Sequence, residues 1–280
     1  MKAILVPTAA HDRMTSVLET ALLAARRFDS YVEGFAIRPL ITEYVPVDMV
    51  GGLTWTRDDI SDEQSVKVSR ETFDRFMAER GVPRFTGGGQ GGLGFGWLDN
   101  ASAGDTFVSS HARVFDVTVL GRPISGQAEP SMATLEAVLF ESGRPILIAP
   151  PTPPSKLGET IAIAWNGSTE TARATAFAMP FLRQAGRVIV LTVEGGPLHE
   201  GPAGEQLART LRLNGVAAEA SAVKGERRSL GETLLKISAS MGVDLLVKGA
   251  YTQSRLRQMI FGGTTSHILS EATVPVFMAH

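Results

Sequence analysis

Ile4, Leu5 and Val6 form a short unbroken apolar run, and Ile161, Ala162 and Ile163 form another. Runs of this length bounded by polar turns predict strands buried on both faces. A stretch with helical spacing follows each run. In the first it carries Val17, Leu18, Ala21, Leu22 and Ala25; in the second, Ala172, Ala176 and Phe177. Asp12 or Thr15 is placed to cap the first helix, and Ser168 or Thr169 the second. Pro180 predicts a kink or restart in the second helix, because proline lacks the amide that the ladder needs. Second strands are expected near 31–37 and 187–193.

The two stretches are copies of one unit. Residues 2–28 resemble 160–186, and 95–122 resemble 219–250, each of the latter reading strand, turn, helix, strand. Asp116 opens a strand that ends at Gly121, and Asp244 opens one that ends at Gly249. Each half closes on a short helix and a proline-led strand, PILIAP (145–150) and PVFMAH (275–280). Alternating strands and helices imply parallel β-α-β units with helices on both sheet faces. The expected fold is therefore α/β: two tandem, doubly wound, five-stranded parallel-sheet domains. The first covers 1–150 and the second 158–280, joined by a proline-stiffened linker, Pro151–Gly158. From Ile4 to Asp116 is 112 residues, whereas from Ile161 to Asp244 is 83. The first half thus carries an insert, placed at about 39–71, which reads as a loop or flap with extra helix.

Composition narrows the field. The formal net charge is −2, which gives no electrostatic reason to expect nucleic acid or an anionic membrane as partner. The absence of cysteine excludes disulfides, thiolate metal sites and cysteine nucleophiles. Pro7 and the charges after it make the first apolar stretch too short for a signal-peptide core, and no run reaches the ~18 residues of a membrane span. A cytoplasmic protein is expected. None of the five histidines pairs at metal-binding helical spacing. Gly89-x-Gly91-x-x-Gly94 matches a dinucleotide pattern but has a helix before it and a strand after it, the reverse of what that pattern needs, so it reads as a loop.

In doubly wound sheets ligands bind beyond the carboxyl ends of the strands, where the strand order reverses. After the fourth strand of the second half come Gly249, two residues, Thr252, nine residues, Gly262, Gly263 and Thr264. Glycines there permit positive φ and close backbone approach, bare amides cradle phosphate oxygens, and a helix starting near Thr264 aims its dipole at the same anion. A glycine turn followed by an ordinary cap is the structural alternative. His267, Arg255 and Arg257 lie near this loop; structural or solvated roles are the simpler readings for them.

This spacing resembles the phosphate loop of the universal stress protein family, with Thr252 standing for a glycine and Gly263 for a serine or threonine. The Asn166-Gly167-Ser168 turn and the proline-led last strands extend the resemblance over nearly the whole chain. The resemblance implies an adenine-nucleotide α-hydrolase-like fold and a site built from Ala164, Asn166, Val193, Gly249, Thr252, Gly262, Gly263 and Thr264. Asn166 stands where the family has an aspartate, and Trp165 beside it reads as core or as a base-stacking surface. The first half lacks these features: Ala9 replaces the acidic residue, and Glu129 and Pro130 sit where bare amides would be needed. It is not expected to bind a nucleoside triphosphate. The resemblance further implies ATP or AMP with Mg²⁺ as ligand, a stress-response regulatory role without dedicated catalysis, and at most slow ATP hydrolysis. It also implies pairing of the two last strands within one chain as a pseudo-twofold dimer, compatible with a further homodimer. A non-nucleotide scaffold or ligand-binding protein is the alternative.

Overall fold

The computed structural model describes residues 1–38, 58–87, 91–123, 131–194, 201–225, 230–250 and 263–280, with the side chains of 58–62 excepted. In the first half the order is β1 (Ala3–Thr8), α1 (Met14–Phe28), β2 (Tyr31–Ala36), α2 (Asp58–Glu79), β3 (Gly94–Trp97), α3 (Asp105–Ala112), β4 (Val117–Gly121), α4 (Met132–Glu141) and β5 (Ile146–Ala149). The second half repeats it: β6 (Thr160–Ala164), α5 (Thr169–Gln184), β7 (Arg187–Glu194), α6 (Gly204–Leu213), β8 (Ala218–Lys224), α7 (Leu230–Ser240), β9 (Leu245–Gly249), α8 (Gly263–Glu271) and β10 (Val276–Ala279).

All ten strands form one sheet, in the order β3-β2-β1-β4-β5-β10-β9-β6-β7-β8. The two expected five-stranded sheets are thus halves of a continuous one. Every neighbouring pair is parallel except β5 and β10 at the centre. There Leu147 lies opposite Phe277, with Ile146 against Met278 and Ile148 against Val276. Leu147 and Phe277 hold the same place in their repeats, so this register is itself a local twofold. The pairing covers two strands whose free edges would otherwise present unpaired amides and carbonyls.

The apolar residues sort onto two sheet faces. One face packs against Leu18 and Leu22 of α1, Phe73 and Met77 of α2, Phe181 of α5 and Leu211 of α6. The other packs against Val108 of α3, Leu135 of α4, Leu234 of α7 and Ile268 of α8. Across the twofold, the Phe28 and Phe181 rings meet edge to face at 4.7 Å. Arg27 donates to the carbonyls of Leu157 (3.2 Å), Gly158 (2.9 Å) and Gln184 (2.7 Å), tying α1 to the second half. Asp116 and Asp244 do the same work in their copies. Asp116 accepts from the amides of Lys2 and Ala3, and Asp244 from those of Gly158, Glu159 and Thr160, fixing the start of the first strand of each half.

Two local expectations are corrected. Pro180 sits inside α5 and does not restart it: one helix continues to Gln184. Burial of Phe181 and Leu182 on the sheet outweighs the one amide that proline removes. Neither Asp12 nor Thr15 caps α1; Arg13 is the N-cap, without a side-chain bond to the helix, and its amide donates to His11 Nδ1 at 3.1 Å. Ser168 does cap α5, accepting from the Thr171 amide at 3.2 Å. Ser168→Ala is expected to cost about 1 kcal/mol in urea unfolding.

Candidate functional site

In the second half the strand order reverses between β6 and β9, so their carboxyl ends open the crevice where ligands bind in such sheets. Asn166 follows β6. Its Oδ1 accepts from Thr171 Oγ1 at 2.8 Å and from the Ser168 amide at 3.2 Å, closing a turn over the start of α5. Its acceptor is therefore engaged locally, and its amide group is what remains to face a ligand. Gly167 has φ of +80°, a left-handed conformation that glycine takes without strain. Ala164 ends β6 as a buried residue. Trp165 is core: it is buried and its indole N–H donates to the Pro202 carbonyl at 2.8 Å. Val193, near the end of β7, is also buried, packed on Gly225 so closely that a Cβ there would lie 2.4 Å from Val193 Cγ1.

Gly249 ends β9 directly beneath α5. A Cβ at this position would lie 2.4 Å from the backbone nitrogen of Thr171 and 2.6 Å from the carbonyl carbon of Glu170. Positive φ and close backbone approach were the two expected reasons for glycine at 249 and 263; neither residue has positive φ. At 249 the reason is close approach of helix to strand. At 263 a Cβ would meet nothing within 4 Å among the described residues. Gly263 opens α8, and the first turn of α8 carries no acidic residue. Thr264 is half-buried beside it. Thr252 and Gly262 lie outside the described residues, as do Arg255, Arg257, Glu129, Pro130 and residues 39–57 of the insert. His267 packs its ring and Cβ against Gly231 of α7.

The sequence reading passed over Lys248. It is buried, and its Nζ donates to Thr265 Oγ1 and to the Gly249 carbonyl, both at 2.7 Å. No carboxylate among the described residues pairs with it. Burial pulls its pKa down to about 8. A buried ammonium thus sits under the first turn of α8, beside a helix end that is itself positive. A lysine at the end of a strand reads as snorkelling to solvent, so only the interruption of an otherwise apolar strand, Leu245 to Gly249, signalled it. No group of three or more His, Asp or Glu side chains that could hold a metal ion occurs among the described residues. Nor is any helix among them long and apolar enough to cross a membrane.

Residues 159–280 match the model of the Universal stress protein family. The solved structure of a universal stress protein from Archaeoglobus fulgidus DSM 4304 superposes with a TM-score of 0.72 at 16% identity, covering 99% of this chain and 95% of that one. A functionally unknown protein, PA1789 from Pseudomonas aeruginosa PAO1, gives a TM-score of 0.55 at 13% identity, covering 100% and 92%. A putative universal stress protein from Pseudomonas aeruginosa UCBPP-PA14 gives 0.54 at 12% identity, covering 100% and 93%. At such identities the likeness establishes the fold of both halves, while the family match concerns the second. No curated protein matches the sequence.

Proposed function

We propose, for a chain whose residues 159–280 form a universal stress protein domain, that its second half binds the phosphates of an adenine nucleotide, ATP or AMP, against the start of α8 and serves as a stress-response regulator without dedicated catalysis. The observation that carries this reading is the buried Lys248 ammonium beneath the first turn of α8. Among the described residues none comes within 4 Å of a Cβ at Gly263 and none supplies a carboxylate to Lys248, and the first turn of α8 carries no acidic side chain. Helix dipole, bare amides and a buried cation all favour an anion at one place. Asn166, across the crevice on the β6 turn, retains its amide as a donor toward a ribose. Mg²⁺ would come with the phosphates, which supply its oxygen ligands. A scaffold role is favoured by a different pair of observations: Asn166 Oδ1 is committed to its own turn, and Gly249 is required by α5.

Thermal unfolding with millimolar ATP, AMP and Mg²⁺ separates the two. A ligand at about 100 times its Kd stabilises the native state by ~2.7 kcal/mol, a rise of several degrees in Tm. A side chain at Gly263→Val meets no described residue at its Cβ, so stability without ligand should stay within ~1 kcal/mol of the parent. Its response to nucleotide should vanish, because the valine fills the anion's place. No shift in the parent protein supports the scaffold reading instead. An undiminished shift in Gly263→Val would remove α8 from the site.

A further inference from the structure

The sheet has two outer edges, and the chain treats them differently. At one end β3 is four residues long. Its Phe95 turns both backbone groups outward, and residues 83–85 take them up: the Phe95 amide donates to the Pro83 carbonyl at 3.0 Å, and its carbonyl accepts from the Phe85 amide at 2.8 Å. At the other end β8 pairs with β7 in unbroken register over seven residues, Ala218 to Lys224. The Ala217 carbonyl accepts from the Val188 amide, and the Gly225 amide donates to the Glu194 carbonyl. In a parallel ladder alternate residues bond to a given neighbour, so Glu219, Ser221 and Val223 face β7. Ala218, Ala220, Ala222 and Lys224 turn their backbone groups toward the open edge.

Ala218 is satisfied there. Its amide donates to the Val216 carbonyl at 2.8 Å, and its carbonyl accepts from Arg212 at 3.0 Å. Ala220, Ala222 and Lys224 are exposed, and their backbone groups have no partner among the described residues. A row of free donors and acceptors is a template for another strand, which proteins blunt with proline, a bulge, a short strand or a covering segment. β3 has the last two. β8 has no proline and no bulge, and its charges are Glu219, which pairs with Arg187 at 2.6 Å, and Lys224 at its end.

We propose that two copies of the chain join along this edge, β8 against β8, antiparallel about a twofold axis at Ala222. A second copy suits the edge because the edge complements itself. Antiparallel strands exchange both backbone bonds between facing residues. An axis at Ala222 pairs Ala222 with its own copy and Ala220 with Lys224 in both directions, so each free outward group gains a partner. An axis at Ser221 would set Lys224 against Ala218, whose groups are already engaged. With the axis at Ala222 each Lys224 stem lies over the small Ala220 of the other copy. The two ammoniums then stand the length of 220–224 apart along the seam, ~13 Å, beyond the ~8 Å screening length of physiological salt. The chain already extends its sheet across a local twofold in this way, at β5 and β10. With β3 covered, pairing at β8 is isologous and closes at a dimer, without growth into a fibre.

Sedimentation velocity of the full chain without nucleotide, from micromolar to submillimolar concentration, tests the proposal, which does not rest on ligand binding in the second half. The parent should pass from monomer to dimer. Ala222→Pro removes the outward amide at the axis and spares the ladder to β7, to which Ala222 contributes no bond; proline is tolerated on that side of an edge strand. This variant should stay monomeric. Ala220→Lys sets like charges opposite each other, twice by symmetry, and should weaken the dimer about tenfold. Adding Lys224→Glu should restore it. Should Ala222→Pro not fold, the charge variants decide, since both positions are exposed. A parent that stays monomeric at submillimolar concentration overturns the proposal. So does a dimer that survives in folded Ala222→Pro, or one that ignores Ala220→Lys.

Discussion

Gly249→Ala is expected to destabilise the protein by about 3 kcal/mol or more, although it adds only one methyl group to a strand end. Overpacking is mild when the obstacle is the tip of a flexible side chain. Here the obstacles are backbone atoms, the Thr171 nitrogen at 2.4 Å and the Glu170 carbonyl carbon at 2.6 Å. To clear them, the first turn of α5 must lift off β9. That turn is held by the Ser168 cap and by the bond from Thr171 Oγ1 to Asn166. Moving it therefore breaks the cap and the Asn166 turn together. Nor can the strand yield, because Gly249 is registered against Ala279 of the central β10. Gly263→Ala supplies the contrast. The same methyl meets no described atom within 4 Å in the first turn of a helix, where alanine is the better residue, so its effect should lie within ~1 kcal/mol and favour stability. Urea midpoints of the two variants test the pair. A Gly249→Ala protein within 1 kcal/mol of the parent would show that α5 is free to move, and would return the need for glycine to ligand approach.

The same contrast explains what the sequence could and could not disclose. Strand-helix alternation and the repeat were legible because buried strands leave a mark in every residue they contain, and because Asp116 and Asp244 stand at equal distances from Gly121 and Gly249. The central antiparallel pairing of β5 and β10 followed from family resemblance, not from local pattern; nothing in PILIAP or PVFMAH specifies its partner. Glycine spacing located the crevice, but not the reason for each glycine, which depends on a helix remote in sequence. Pro180 misled because a propensity argument does not see the burial of Phe181 and Leu182. A cavity in the first half was invisible for a similar reason. It lies between the turn after β1 and α2, about 60 residues apart in sequence.

Lys248→Met should stabilise the protein near neutral pH by about 2–3 kcal/mol and flatten its stability at alkaline pH. In the folded chain the ammonium is buried without a carboxylate among the described residues, and its pKa falls to about 8, whereas an unfolded lysine titrates near ~10.4. At pH 7 both states are protonated, and the fold bears the whole cost of the buried charge, roughly 3 kcal/mol for such a shift. Between about 8 and ~10.4 the unfolded chain keeps a proton that the folded chain has released. Stability contributed by this group therefore rises with pH across that window and is constant above it. Methionine fills a similar volume without charge, so the variant gains most below pH 8. It also leaves Thr265 Oγ1 and the Gly249 carbonyl without their donor, a loss of ~1 kcal/mol that persists at every pH. The advantage of the variant should consequently shrink as pH rises and turn slightly negative near pH 10.5. Urea midpoints for both proteins at pH 7, 8.5 and 10 measure the difference, in which other titrating groups cancel. Parallel curves would mean that Lys248 titrates as it does in water, and with that the uncompensated cation beneath α8, on which the anion site partly rests, would be gone.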